Sequence, residues 1–182
     1  MKKYIFVTIW VFMNTVCAWG VQFDKHPSTD KPDVRSSMTT AREVFRQNIP
    51  ETARQFIGTP YEYGGNPLTS GTSDNSYLFF AIYTTAAQLS GLTYHGYLPM
   101  ANLLQNVRPI DESQVQAGDL MVLDNQLAAM VFDVEDNGRM HLIYVSEKRR
   151  QAISFNSDNL VFDAFWLKHM TGFFRLKEAM LR

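Results

Sequence analysis

The residues of this chain that could do chemistry gather at one junction. Residues 58–77 read GTPYEYGGNPLTSGTSDNSY, a loop with glycines and prolines running into a segment that places Leu78, Ile82, Ala86 and Leu89 at helical spacing. Asp74 or Ser73 has the type of a helix N-cap, and Gly91 supplies the stop. A glycine-rich loop against the start of a buried helix offers unpaired backbone N–H groups and a partial positive charge. Enzymes place an anion, an oxyanion or a thiolate at such a point. The other reading is a plain turn capped by Asp74, and pattern alone leaves both open. A serine nucleophile at Ser76 would need a base within hydrogen-bond reach. The candidates His26, His95, His141 and His169 are scattered, and no two stand at the i, i+4 spacing of a helical metal site. Asp133, Glu135 and Asp136 flank a turn and lack the glycine and glutamate spacing of a calcium loop. Arg149 and Arg150 read as a solvated turn. No cofactor and no metal are expected.

The composition narrows the class of protein. With 182 residues, 46% hydrophobic and 13% aromatic, the chain has the length of one domain and ample material for a core. A formal net charge of −1 argues against nucleic acid as a partner, because no basic excess exists to neutralise phosphates. One cysteine, Cys17, excludes a disulfide framework and a zinc site built on several thiolates.

Residues 1–20 differ from the rest. Lys2 and Lys3 precede an apolar run from Tyr4 to Val16, followed by small-residue sites ending at Ala18 and Gly20, the pattern of a secretory signal peptide. Thirteen residues are too few to span about 30 Å of hydrocarbon. The mature chain is therefore expected to have no transmembrane span and to be periplasmic or secreted. Asn14, Thr15 and Val16 do not resemble the residues preceding a lipidated cysteine, which argues against an anchor on Cys17. Cleavage lowers the formal charge to about −3 and removes the sole thiol.

Residues 21–38, polar and with two prolines, read as an exposed arm, and 39–182 as the domain. A helix is expected from Thr39 through Asn48, and Pro50 suits the first turn of a second short helix ending at Gly58. Residues 91–117 read as an irregular connection with a short helix at Met100–Gln105. Beyond Gly118 the period shortens, and DLMVLD, LAAMVFDVE, RMHLIYVSE, QAISFN and GFFRLK read as strands of an antiparallel meander. Asp136-Asn137-Gly138 supplies a hairpin turn. Helices first and strands afterwards is an α+β order.

With these elements in place, GTPYEYGG followed by GTSDNS and an apolar helix resembles the start of the NlpC/P60 family of bacterial cell-wall cysteine peptidases. AGDLMVLD at 117–124, LAAMVF at 127–132 and AFWLKHMTGFFRL at 164–176 are similar to later segments of that family, in the same order. The resemblance implies a papain-like α+β fold, with helices followed by an antiparallel sheet of five or six strands packed on a central helix.

The family's chemistry does not carry over residue by residue. Where the resemblance implies a cysteine at the start of the core helix, this chain has Asn75, between a matching Asp74 and Ser76. Where it implies the histidine base, the chain has Ala128, or Ala129 with a one-residue slip. The third, imidazole-orienting position falls in the strand containing His141 and Tyr144. The glycine after the serine is Tyr77, a ring that could fill the cleft. Asn75 is no nucleophile for peptide bonds and Ala128 accepts no proton, so the expectation is a pseudoenzyme without catalytic residues. Tyr61, Tyr63, Asp74, Asn75, Ser76 and Tyr77 would form a ligand cleft for a peptidoglycan stem peptide or an envelope protein. The alternative is a residual hydrolase with a non-cysteine nucleophile.

Overall fold

A computed structural model describes residues 34–182 of the chain. The expected signal segment 1–20, most of the arm, Cys17 and His26 lie outside the described residues.

Helix α1 (Val34–Gln55) is a single helix that contains Pro50, where two shorter helices were expected. A proline inside a helix lacks the N–H for the preceding turn and costs about 3 kcal/mol. The compensation is a stripe that continues across it: Phe45, Ile49 and Ala53, each four residues on from the last, are all buried in the core. Tertiary packing of that stripe outweighs the local preference. The helix also begins inside the segment read as the arm.

Helix α2 (Asn75–Leu89) is the central element, with Leu78, Phe79, Ala81, Ile82, Tyr83, Ala86 and Ala87 buried. A helix apolar on so many sides must be covered all round. Here α1 lies on one side and the sheet on the other. The expected α3 (Met100–Gln105) follows. Six strands then form one antiparallel sheet: β1 (Val107–Ile110), β2 (Asp119–Leu123), β3 (Leu127–Val134), β4 (Met140–Ser146), β5 (Gln151–Asn156) and β6 (Met170–Leu176). Their order is β1-β6-β2-β3-β4-β5. Strands β2 to β5 are the expected meander, closed by the hairpin turn at Asp136–Gly138. β6 departs from it by returning to pair with β2.

Both faces of the sheet are apolar, and the period of two sorts them. Leu120, Val122, Ala128, Met130, Phe132, Ile143 and Val145 face the helices. Met121, Leu123, Ala129, Val131 and Leu142 face a second cluster. That cluster is closed by Phe162 and Trp166, from a π-helical segment (Phe162–Trp166) that leads into the short α4 (Leu167–His169).

Candidate functional site

The junction read from the sequence is built as a capped helix start. The Asp74 carboxylate accepts from the Tyr77 N–H at 2.9 Å, which is the N-cap bond of α2. Its other oxygen accepts from the Gly64 N–H at 2.9 Å, so one side chain ties the glycine-rich loop to the helix. Gly65 beside it permits a close approach that no other residue could make: a Cβ there would stand 2.9 Å from the Thr72 carbonyl carbon. Tyr61 bridges to Ser73 in parallel pairing, which lays the two ends of the loop side by side.

Asn75, the first residue of α2, reaches the sheet. Its Nδ2 donates to the Ala128 carbonyl at 2.8 Å, and its Oδ1 accepts from the Val145 N–H at 3.0 Å. The β3–β4 pairing sets Met130 opposite Ile143, and extending that register by two residues sets Ala128 opposite Val145. The two backbone groups that the Asn75 amide joins therefore belong to facing residues of neighbouring strands. The side chain stands between them as an extra peptide group would, carrying one donor and one acceptor in the required order.

The pleat sends Ala128 and Ala129 to opposite faces of the sheet. Ala128 faces α2 in the helix-side cluster, whereas Ala129 points into the opposite cluster. Ala128 is fully buried, and the position facing it across the strands is Val145, also buried and apolar.

A cleft of about 370 Å³ opens beside this junction. It is lined by the expected Tyr61, Tyr63, Asp74, Asn75 and Ser76. Met100, Gln126, Leu127 and the stretch 144–147, from the end of β4 into the following turn, complete the wall and were not among the expected cleft residues. The hairpin connectivity was a signal for the last of these, since the end of β4 must return beside the start of β3. Tyr77, expected among the cleft residues, is elsewhere: its ring stacks on Tyr97 with centroids 3.9 Å apart and meets Phe80 edge-on. It lines a neighbouring depression, so the cleft is not filled by it.

Charge at the cleft is mixed. The Tyr61 hydroxyl donates to Glu147 Oε1 at 3.3 Å. Partial desolvation, then the adjacent Glu147 carboxylate, push the Tyr61 phenol above its usual range. The Arg150 guanidinium covers the outer face of the Tyr61 ring, 4.6 Å from its centroid.

Among the described residues no histidine lines this cleft. His141 sits at the far end of β4 and pairs with Glu135 at 2.7 Å. That contact holds the Glu135 carboxyl below its ordinary range. His169 pairs with Asp124 at 3.2 Å, and His95 is exposed in the α2–α3 connection. Asp133 pairs with Arg54, and no group of three or more potential ligands that could hold a metal ion occurs among the described residues.

No family model and no curated protein sequence matches the chain. A solved structure does: an NLP/P60-family protein of Staphylococcus aureus described as similar to a lipoprotein, with a TM-score of 0.51 and 19% identity. The likeness covers 72% of this chain and 41% of that one, so the chain spans well under half of its neighbour's length. The α+β arrangement, helices followed by a six-stranded antiparallel sheet on a central helix, is the papain-like NlpC/P60 fold.

Proposed function

We propose that this chain is an exported NlpC/P60-like protein of the bacterial cell envelope that binds a peptidoglycan stem peptide in its cleft without cleaving it. The observation that carries the reading is the state of Asn75. A peptidase of this type needs an ionisable nucleophile at the helix start with a base beside it. Here the position holds a neutral amide, and both its polar atoms are engaged by the backbone of β3 and β4. The base position is a buried methyl group. What remains is a cleft with the rings of Tyr61 and Tyr63, polar groups from Ser76, Ser146 and Glu147, and at its edge Tyr144, whose ring packs on Trp166 and Phe155. Aromatic walls with a few placed polar groups suit a peptide ligand. Export rests on the pattern of residues 1–20. No helix among the described residues is long and apolar enough to cross a membrane.

Co-sedimentation with purified sacculi tests the proposal. The chain should pellet with sacculi, Tyr61→Ala and Tyr63→Ala should stay in the supernatant, and no new amines should be released. Release of amines that Ser76→Ala abolishes would instead make the chain a serine hydrolase. Equal pelleting of the tyrosine variants would place any ligand outside the cleft.

A further inference from the structure

A second hollow, of about 190 Å³, lies where α1 meets β1 and β6, and four arginines converge on it: Arg42, Arg46, Arg108 and Arg175. They arrive as two like-charge pairs. Arg42 and Arg46 stand at i, i+4 on α1, a spacing at which equal charges repel. Arg108 and Arg175 are directly opposite one another on β1 and β6, where like charges also destabilise. Two carboxylates answer them in part. Asp119, fully buried, takes Arg175 at 2.8 Å and Arg46 at 3.3 Å, and Glu178 takes Arg42 at 2.9 Å. The cluster keeps two positive charges in excess.

Two donors are left over. Arg108 is exposed at the hollow and makes no ion pair with the described residues. Arg42 Nε is buried with no hydrogen-bond partner. A buried donor without a partner is costly, and a guanidinium presents its donors in a fork that matches a tetrahedral or planar oxyanion.

We propose that this hollow binds a phosphate-type oxyanion, held by the exposed Arg108 beside the partly exposed, Glu178-paired guanidinium of Arg42, and completing the charge of the cluster. The anion would relieve both repulsive pairs, so its binding is linked to stability. It stands apart from the cleft and shares no lining residue with it. The proposal therefore does not depend on what the cleft binds.

The test is thermal unfolding of the purified protein against sodium phosphate, with sodium chloride holding the ionic strength constant. Phosphate should raise Tm along a saturating curve, as a ligand of the folded state does. Arg108→Gln should weaken the midpoint about tenfold or more, the worth of one lost charge-assisted hydrogen bond. Without phosphate its Tm should equal or exceed that of the parent, because a repulsive pair is gone. Arg42→Gln should weaken it further, since it also leaves the Glu178 carboxylate unpaired at the hollow. Vesicles containing phosphatidylglycerol separate the sources: binding that phosphate competes away assigns a lipid headgroup, and its absence assigns a free anion. A phosphate effect no larger than chloride's, or one unchanged in both variants, overturns the proposal.

Discussion

Asn75→Ala removes a bridge between α2 and two strands, and its cost can be worked out. It strands the Ala128 carbonyl and the Val145 N–H, both on buried residues. A buried backbone group without a partner costs about 1–3 kcal/mol. Asn75 is half-buried and lines an open cleft, so water can reach the gap and the lower end applies to each group. The expected loss is about 2 kcal/mol, or a fall in Tm of about 4–8 °C for a chain of this size. Asn75→Asp refines the test through pH. The protonated acid can donate to Ala128 and accept from Val145, as the amide does. The carboxylate offers no donor and faces a carbonyl oxygen. The helix N-terminus favours the anion by about 0.3–1 kcal/mol, less than the about 1.5–3 kcal/mol of a hydrogen bond to a charged group turned unfavourable. The folded pKa of this aspartate is therefore raised above its unfolded value of about 3.9. A raised pKa contributes stability below the unfolded value, and that contribution is lost as pH rises through the folded one. Relative to the parent at the same pH, Asn75→Asp should be close to neutral near pH 4 and at least as damaging as Asn75→Ala at pH 7. Urea unfolding at the two pH values reads both. An Asn75→Ala protein as stable as the parent, or an aspartate variant indifferent to pH, would refute the bridge.

Asp74→Ala should cost about 1–2 kcal/mol in urea unfolding, since the carboxylate both caps α2 and holds Gly64. Asn75→Cys should give a thiol whose pKa, read from alkylation rate against pH, lies below the ordinary value of about 8.5 because of the helix N-terminus. Adding Ala128→His should lower it further; a double variant that titrates like an exposed thiol would show that residues 75 and 128 are not functional neighbours. Intact mass of the chain expressed in a bacterial host should place the N-terminus at Trp19 or Val21, and a retained Met1 or lipid on Cys17 would contradict export.

What the sequence could reveal followed local physics. The alternation of LAAMVFDVE and RMHLIYVSE, with Asp136-Asn137-Gly138 between them, marks β3, β4 and their turn, because pleat and turn chemistry are written within a few residues. Asp74 was legible as a cap for the same reason. β1 was not: its four residues include Pro109, which suppresses a strand reading and is tolerated only because β1 is an edge strand. α1 was read as two helices because the loss at Pro50 is local while the packing of Ile49 and Ala53 is tertiary. The resemblance put Asn75 near Ala128, but the hydrogen bonds that join them were invisible for a deeper reason. The partners are backbone atoms 53 and 70 residues away, and nothing in the types of Ala128 and Val145 advertises them. Tyr77 likewise needed Tyr97, its stacking partner across the α2–α3 connection, before its ring could be placed.

Binding of a stem peptide in the cleft without cleavage is open to direct observation. One NMR titration of labelled protein with a purified peptidoglycan stem peptide, recorded over hours, tests it directly. Saturable shifts are expected at Tyr61, Ser76, Tyr144 and Ser146, with the peptide's own resonances unchanged in number throughout. The appearance of a new peptide amine, or an absence of shifts at those four residues, would contradict it.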